Sequence, residues 1–588
     1  MPADPAVRVV AAIDFGTHGT GFAWALCPAQ GALSGSAVYT RDLWPGAGNA
    51  RYPKNRTALL LDRPGGEPIA FGHDAVQRYR ATAGRGGQPG FVANFKVCLT
   101  GDEAAHRIVQ GEIPSRERAR ELTTQYLRYI VETALKDMEQ RGVCVQAPEE
   151  IRWCLTVPAL WGYDEQALMR GAAEDAGLPR DPDRLVFTTE PEAAMHHVRH
   201  HAQATEHVAP GKRVMVVDAG GGTVDVVTYF IESDGLLREV GHKRGALFGC
   251  EAVTDRFLEE VVLARLTPEV TAAGRFASLL AAPGSGHVAR LVDAWDRDKT
   301  RVGPTLDYDL RFDLTAELYR QMPEPVRAHL RRIQNGVDQA LIVTPDQAKA
   351  LFDPVVAEVL ALIDEQLRGV AQDSRAGGRT DTILLVGGFA NSPYLEHRVR
   401  DHLGGRCAVV VAPETDASVL KGAVQECHRS IVLSRKAGFS YGIKTSRRWR
   451  RWHDPRRGRV RDQAPNSPNY RKYVTVTAFD PMVAVGEDVG LPKRFERNYV
   501  PYHEHDRSLE ICLYRSGKAA PRFVDRPGCE LVDRFRVDLA PVLGLPRTER
   551  GVVVTLEFGT VDVVVSARFA HTDEPIVIVS EAKNGKGW

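Results

Sequence analysis

The chain contains one short pattern twice, and this repeat restricts its fold more than any other feature. An apolar run ends in an acidic residue and a turn rich in glycine and threonine, IDFGT at residues 13–17 and VDAGGGT at residues 217–223. A second apolar run follows each turn, as in a β-hairpin. Two similar hairpins this far apart predict a duplicated α/β lobe.

The turns of both hairpins carry groups that suit phosphate binding. Glycine lets backbone N–H donors approach a phosphate without obstruction by a Cβ atom, and threonine adds a hydroxyl donor. An acidic residue at the strand end can hold Mg²⁺ through its water shell or orient an attacking water. A third turn, VGG at residues 386–388, has the same character. The candidate residues of the two hairpins are Asp14, Gly16, Thr17, Asp218, Gly220, Gly221, Gly222 and Thr223.

Composition excludes several classes of protein. A length of 588 residues predicts about three or four folding units. Lysine and arginine (76) nearly cancel aspartate and glutamate (75), so the chain as a whole should not be attracted to nucleic acid or membranes. No apolar run approaches the ~20 residues that span a bilayer, and the amino terminus does not resemble a signal peptide. The nine cysteines are scattered without a C-x-x-C pair, which predicts reduced thiols in the cytoplasm and no zinc motif.

In the three glycine-rich motifs the chain resembles the actin–hexokinase–Hsp70 superfamily of ATPases. LTVPA at residues 155–159, TEPEAA at 189–194 and FKVCL at 95–99 resemble segments of the Hsp70 branch. FANSPYL at 389–395 is similar to a divergent Hsp70-like branch that includes the Hsp70 family member 12 proteins. The resemblance implies an α/β fold in which residues 1–428 form a two-lobed, actin-like ATPase domain built from duplicated RNase H-like lobes.

The resemblance also implies ATP and Mg²⁺ as cofactors, with roles for individual residues. Asp14, Glu190 and Asp218 would surround the water shell of the Mg²⁺, and Asp218 or its neighbour would orient the attacking water. Lys96 would stabilise charge on the γ-phosphate in the transition state, and the threonine hydroxyls of the two turns would bind phosphates. The residues implied in adenosine contacts are Asp296, Lys299, Gly387, Gly388 and Asp416.

Several positions depart from the family pattern. His18 replaces a residue that is commonly hydroxylic or aromatic, and Cys250 stands where a second glycine is usual. Asn391 occupies the position of an arginine that stacks on adenine in typical members. These departures predict weaker adenine binding and unchanged phosphate chemistry.

Towards the carboxyl terminus the pattern changes to short alternating runs, which are typical of a β-sandwich. GFSYGIKT at residues 438–445 resembles the first strand of the Hsp70 substrate-binding sandwich. We therefore expect a linker at 429–437, a β-sandwich module at 438–570 and a loose tail at 571–588, with an unrelated β-module as the alternative. About twenty residues follow Ala567 where typical Hsp70 chains have a helical lid, so the resemblance implies a chain without this lid.

A basic segment interrupts the β-rich region. It reads RRWRRWH at residues 447–453 and continues with further arginines. The segment is either a solvated loop or a contact surface for an acidic peptide, nucleic acid or anionic lipid, because arginine and tryptophan combine charge with stacking. The residues expected to contact such a partner are Arg447, Arg448, Trp449, Arg450 and Arg451.

Four histidines, at residues 196, 197, 200 and 201, lie on a predicted helix. Their i,i+4 spacing suits a metal, but no acidic or cysteine ligand has a matching spacing. We therefore expect ordinary surface histidines.

The function that the resemblance implies is that of an Hsp70-like molecular chaperone with slow ATPase activity. Hydrolysis would control the binding of protein or peptide clients by the β-module. J-domain proteins and nucleotide-exchange factors are the usual partners of the family, although Gln166 falls near an arginine that typical members use with J-domains. Two alternatives remain: a kinase for a sugar or small alcohol on the same fold, and a nucleotide-regulated binding protein with little hydrolysis.

Overall fold

The structure is a computed structural model of the chain. The residues it describes are 7–28, 33, 37–82, 89–103, 109–145, 150–201, 205–267, 276, 280, 286–373, 378–451, 454, 459–462, 471–490, 493–558, 563–576 and 579–580. Three parts of the predictions lie outside the described residues: Trp452 and His453 of the basic segment, the arginines at 456 and 457, and the end of the tail at 581–588.

The fold is mixed α/β with several sheets, which confirms the predicted class. The chain divides into two compact units. The first comprises Met1–Trp161 and Leu168–Ile431, and the second comprises Gly162–Ala167 and Val432–Trp588.

The strands of the first unit are short, and most of them are buried. In chain order they are β1 Val9–Phe15, β2 Gly19–Leu26, β3 Tyr39–Thr40, β4 Asn55–Arg56, β5 Ala58–Leu61, β6 Pro68–Phe71, β7 Gly90–Ala93, β8 Gln110–Gly111, β9 Ile151–Val157, β10 Leu185–Thr189, β11 Arg213–Ala219, β12 Val224–Ile231, β13 Leu237–Ala246, β14 Leu310–Asp313, β15 Ala340–Val343, β16 Thr382–Val386 and β17 Ala408–Val411.

Two sheets of this unit contain the repeated hairpins in equivalent surroundings. One sheet has the strand order β10-β9-β1-β2-β3, with β1 parallel to β9 and antiparallel to β2. The other has the order β17-β16-β11-β12-β13, with β11 parallel to β16 and antiparallel to β12. Asp14 and Asp218 are each the penultimate residue of the first hairpin strand. Both predicted hairpins are therefore present, and their acidic residues occupy the same position.

Twelve α-helices, α1 to α12, lie between the strands in the described part of the chain. They are α1 Gly72–Thr82, α2 Arg116–Gln140, α3 Tyr163–Asp175, α4 Glu190–Val198, α5 Cys250–Arg256, α6 Ala264–Leu266, α7 Gly286–Asp298, α8 Ala316–Gln321, α9 Glu324–Ile333, α10 Pro345–Gln372, α11 Pro393–Leu403 and α12 Thr415–His428. A π-helical stretch at Phe257–Leu263 joins α5 to α6. Helix α4 begins with a capping box, in which the Thr189 side chain accepts from the Glu192 backbone and Glu192 bonds back to Thr189.

Both faces of the second hairpin sheet are covered by apolar side chains. Along β11, Met215 and Val217 belong to one apolar cluster, while Val214 and Val216 belong to another. Successive side chains of a strand point to opposite faces, so this division means that the sheet is buried on both sides. The continuous apolar run before Asp218 follows from that burial.

The second unit is rich in β-strands, as the alternating runs predict. Its strands are β18 Val432–Lys436, β19 Ser440–Arg448, β20 Arg459–Arg461, β21 Tyr473–Val483, β22 Asp488–Gly490, β23 Lys493–Tyr499, β24 Ser508–Ser516, β25 Cys529–Asp538, β26 Val552–Phe558, β27 Val563–Phe569, β28 Pro575–Ile576 and β29 Val579–Ser580. Strand β18, which pairs with β22, lies within the segment predicted as a linker. The limits of the predicted domains remain a prediction.

Two sheets of the second unit share one apolar core. The larger has the order β20-β21-β19-β24-β25-β29, and the smaller has the order β23-β26-β27-β28. Ile443 and Leu513 from the larger sheet pack in the same cluster as Val554 and Leu556 from the smaller sheet. Across the described residues of both units, no helix is both long and apolar enough to span a membrane.

Candidate functional site

The turns of the two hairpins approach each other in the first unit. A Cβ atom on Gly221 would lie 2.8 Å from the Cβ of His18, which belongs to the turn of the other hairpin. A Cβ atom on Gly16 would lie 2.4 Å from the carbonyl oxygen of Gly19. Glycine is therefore required at both positions, and it leaves the backbone of the turns without side-chain cover where they meet.

The threonines that the sequence assigns to phosphates lie in the same turns. Thr17 is buried, and Thr223 is half-buried. The N–H of Gly220 donates to the carbonyl of Thr223 at 2.9 Å and closes the second turn, which includes the buried Gly222. Every residue of the two glycine motifs is thus part of one region.

A buried cluster of carboxylates and lysines lies beside the turns. Lys54 Nζ is 2.6 Å from Asp14 Oδ2, and Thr156 donates its hydroxyl to Asp14 Oδ1 at 2.8 Å. Lys96 Nζ is 2.8 Å from Glu190 Oε1. The two pairs also interact, because Lys96 helps to lower the pKa of Asp14 and Glu190 helps to raise that of Lys54. The predicted residues Asp14, Lys96 and Glu190 therefore lie close together, and Lys54 joins them from a part of the chain without a recognised motif.

Burial and the neighbouring charges shift the pKa values of the carboxylates in this cluster. Burial raises the pKa of Asp218 well above its usual range, and Glu190 and Asp225 raise it further. Burial and Glu190 raise the pKa of Asp225 to about 7. Asp14 differs: burial would raise its pKa, but Lys54 outweighs this effect and holds the pKa below its usual range. The two lysines do not neutralise the cluster completely, so it favours an additional cation.

Lys96 lies in a 3₁₀ helix, Phe95–Thr100, directly after β7. Asn94, the residue before this helix, has a left-handed backbone with φ of 61°. The side chain of Lys96 is buried, and its Nζ lies 5.2 Å from the centre of the Trp161 ring. Packing and the ion pair with Glu190 together give this lysine a defined position.

A second ionic group surrounds the histidine that departs from the family pattern. His18 Nδ1 lies 2.5 Å from Glu251 Oε1, and Arg56 contacts the His18 ring. Burial would raise the pKa of Glu251, but His18, followed by Lys299 and Arg56, outweighs burial and lowers it. His18 is therefore part of a charged network between the two hairpin turns.

Asp296 and Lys299, assigned to adenosine contacts, bind each other. Lys299 Nζ donates to Asp296 Oδ1 at 2.7 Å and to Thr254 Oγ1 at 2.9 Å. Burial would lower the pKa of Lys299, but Cys250, Asp296 and Glu251 outweigh burial and raise it. The pair therefore lies next to the network of Glu251 and His18.

The third glycine turn packs against the second hairpin. Gly387 has a φ of +86°, and a Cβ atom there would lie 2.5 Å from Asp218 Oδ1 and 2.5 Å from the carbonyl oxygen of Ala219. A Cβ atom on Gly388 would lie 3.6 Å from Asp416 Oδ1. Only glycine satisfies both the conformation and the space at residue 387.

Asp416 is the centre of a polar network at the edge of the site. It accepts from the hydroxyl of Tyr52 at 2.9 Å and from Asn391 Nδ2 at 3.2 Å. Thr415 donates to Asn391 Oδ1 at 2.5 Å. The network lines an open cavity of about 400 Å³. Asn391 thus orients Asp416 here.

Sequence reasoning missed three charged residues of this region. Asp225 lies two residues after the second motif, where the sequence continues as VDAGGGTVD, so its position next to the motif was a signal for it. Lys54 and Glu251 belong to no recognisable pattern, and only the folded chain brings them to Asp14 and His18.

The basic segment of the second unit is partly structural. Arg447 donates two hydrogen bonds to Asp454, at 3.0 and 2.8 Å, and the side chain of Asp454 is fully buried. The side chains of Arg448 and Arg450 are exposed. Arg459 lies 4.9 Å from the centre of the Trp449 ring. Arg447 therefore holds the segment in place, whereas its exposed neighbours face solvent.

The mixed α/β fold with several sheets is consistent with that of an Hsp70-like or actin-like ATPase. Comparison with known proteins gives the particular relatives. The chain is 25% identical to heat shock 70 kDa protein 12A of Mus musculus, over 97% of this chain and 91% of that protein. It is 25% identical to human heat shock 70 kDa protein 12B, over 98% of this chain and 91% of that protein. A chaperone protein DnaK of Elusimicrobium minutum matches partially, at 24% identity over 56% of this chain and 48% of its own.

These relatives confirm the resemblance that the motifs predict, which is to a divergent Hsp70-like branch. No family model matches the chain.

Proposed function

We propose that the chain binds Mg-ATP at the meeting point of the two hairpins and hydrolyses it slowly, as an Hsp70-like chaperone ATPase. The observation that carries this proposal is the cluster of Asp14, Glu190, Asp218 and Asp225 beside two glycine turns. Similarity to heat shock 70 kDa proteins along almost the whole chain supports it.

The residues of the site fit Mg-ATP on chemical grounds. Mg²⁺ prefers oxygen ligands and keeps several of its waters. The cluster offers carboxylates of this kind, and burial, followed by the repulsion of neighbouring carboxylates, raises the pKa of Asp218 and Asp225. The turns around Gly16 and Gly221 offer backbone without side-chain cover. Bound Mg²⁺ would neutralise the charge of the phosphates.

Each residue then has a defined task. Asp14, Glu190 and Asp218 would hold the water shell of the metal, and Asp218 or Asp225 would orient the attacking water. Lys96, which pairs with Glu190 in this structure, would leave that ion pair and stabilise charge on the γ-phosphate. Thr17 and Thr223 donate hydroxyls to phosphates, and residues 220–222 donate backbone N–H groups.

The adenosine would lie towards the third glycine turn. Gly387 and Gly388 admit it close to the backbone, next to Asp416. Asp296 and Lys299 would contact the ribose and adenine. The absence of a stacking arginine at Asn391 makes adenine binding weaker than in typical Hsp70 chains.

The second unit would bind protein or peptide clients, and hydrolysis would alter their affinity. Its two sheets with a shared core support the interpretation as a β-sandwich. J-domain proteins, nucleotide-exchange factors and a cytoplasmic location belong to the same proposal.

The decisive experiment is ATP turnover with and without an unfolded peptide. We expect slow phosphate release without any acceptor, faster release with peptide, and a large decrease in Lys96→Ala. Lys136→Ala is the matched control, because Lys136 is an exposed lysine on α2. ADP formation that requires a sugar or alcohol would instead indicate a kinase.

A nucleotide-regulated binding protein with little hydrolysis is the second candidate. The ion pair of Lys96 with Glu190 favours it, because this contact must open before the lysine can reach a phosphate. Nucleotide binding without measurable turnover, both in the unmodified chain and in Lys96→Ala, would support this candidate.

A further inference from the structure

Two histidines and a glutamate meet at the carboxyl end of α4. His197 Nε2 lies 3.0 Å from His201 Nε2, and 3.4 Å from Glu414 Oε2. One ligand atom from each of the three side chains lies within 4.8 Å of the other two. The sequence offers no acidic ligand at helical spacing, but the fold supplies one from a distant part of the chain.

The backbone explains why these side chains converge. His197 lies in the last turn of α4, and His201 follows four residues later, so both project from the same side. Glu414 precedes α12, which packs along α4. Its backbone is left-handed with φ of 49°, a conformation that is uncommon for glutamate. The three groups are therefore joined by the packing of two helices.

The separations agree with those of a tetrahedral metal site. Zinc binds histidine nitrogen and carboxylate oxygen at about 2.0–2.2 Å, so two ligand atoms of a tetrahedron are about 3.4 Å apart. The distance of 3.4 Å between His197 and Glu414 matches this value, and that of 3.0 Å between the histidines requires a movement of a few tenths of an ångström. We propose that His197, His201 and Glu414 bind Zn²⁺, with water as the fourth ligand.

A neighbouring lysine orients the carboxylate of this site. Lys421 Nζ donates to both oxygens of Glu414, at 2.9 and 2.8 Å. When Oε2 binds the metal, Oε1 still accepts from Lys421. A ligand carboxylate that is also hydrogen-bonded is the usual arrangement around protein metals.

The chemistry of the ligands separates this site from the proposed Mg²⁺ site. Imidazole nitrogen suits zinc and similar transition metals, whereas Mg²⁺ prefers oxygen. Excess Mg²⁺ should therefore not displace the zinc.

The test is a Zn²⁺ titration of the full chain, without a histidine tag and in excess Mg²⁺. We expect one equivalent of tight binding to the unmodified chain. Affinity should fall at least about 100-fold in His201→Gln and in Glu414→Gln, because loss of an outer partner of a metal ligand alone costs about 10- to 100-fold. His200→Gln is the matched control and should bind as the unmodified chain does.

Two results would overturn the proposal. One is the absence of stoichiometric binding, and the other is an equal loss in His200→Gln and His201→Gln, which would indicate adventitious binding by surface histidines. If a variant fails to fold, the absorption spectrum of Co²⁺ bound to the unmodified chain still tests the proposal. Intense visible absorption of tetrahedral Co²⁺ is expected, and the weak spectrum of hydrated Co²⁺ would contradict the site.

Discussion

Replacing Asp225 by asparagine should stabilise the nucleotide-free protein. Asp225 is only 2% exposed, and burial together with Glu190 raises its pKa from 3.8 to about 7. In the folded protein the ionised carboxylate of Asp225 is therefore in surroundings that favour its protonated form. Asparagine keeps the size of the side chain and removes this charge.

The size and sign of the effect follow from the two pKa values. A raised carboxyl pKa means that the folded state binds a proton more tightly than the unfolded state, so stability falls as the pH rises from 3.8 to about 7. Above pH 7 the ionised side chain costs about 4 kcal/mol, because each pH unit corresponds to about 1.4 kcal/mol. At pH 5 the folded protein keeps the proton, and the cost is about 2 kcal/mol.

Urea unfolding at pH 8 and at pH 5, without Mg²⁺ and nucleotide, measures this effect. We expect Asp225→Asn to raise the free energy of unfolding by about 4 kcal/mol at pH 8, and by about half of that at pH 5. Asp137→Asn is the control, because this buried carboxylate accepts from Trp24 and pairs with Arg141, so the variant should not gain stability. No gain at pH 8, or an equal gain at both pH values, would refute the argument.

Three further predictions concern single residues. Lys96→Met should slow single-turnover hydrolysis about 100- to 1,000-fold with little change in nucleotide affinity, and an unchanged rate would exclude Lys96 from catalysis. Gly387→Ala should lower turnover about 100-fold, because the new Cβ would displace Asp218. Gly405→Ala is the control and should retain full turnover, because Gly405 has a similar φ of +78° but open space for a Cβ atom. Arg447→Ser should destabilise the second unit by about 1–2 kcal/mol, because Asp454 loses two hydrogen bonds but still accepts from the Arg450 N–H and pairs with Arg522. Arg448→Ser should instead weaken the binding of an acidic partner at unchanged melting temperature.

The hairpins could be predicted because their pattern is local. A strand, an acidic residue and a glycine turn are adjacent in the chain, and Asp14 and Asp218 lie where the motif indicates. Strand β26 at Val552–Phe558 likewise coincides with an alternating run of the sequence. Local patterns of this kind can be read from the sequence because the periodicity of a strand or helix determines which residues share a face.

Contacts between distant parts of the chain could not be predicted. Lys54 reaches Asp14, and Glu414 reaches His197, only through the packing of separate elements. Arg447 reads as a surface charge in the sequence, but the fold gives it the buried carboxylate of Asp454. Each of these partners is a common charged residue without a sequence motif around it. Its position next to the other residue depends on tertiary structure.

The central claim is that the cluster beside the two glycine turns binds a magnesium nucleotide. Isothermal titration of the chain with ATP, with Mg²⁺ and with EDTA, tests it most directly. We predict one binding site that requires Mg²⁺ and that is lost when Asp14 and Asp218 are both replaced by asparagine. No binding at millimolar Mg-ATP, or equal binding by the double variant, would contradict the claim.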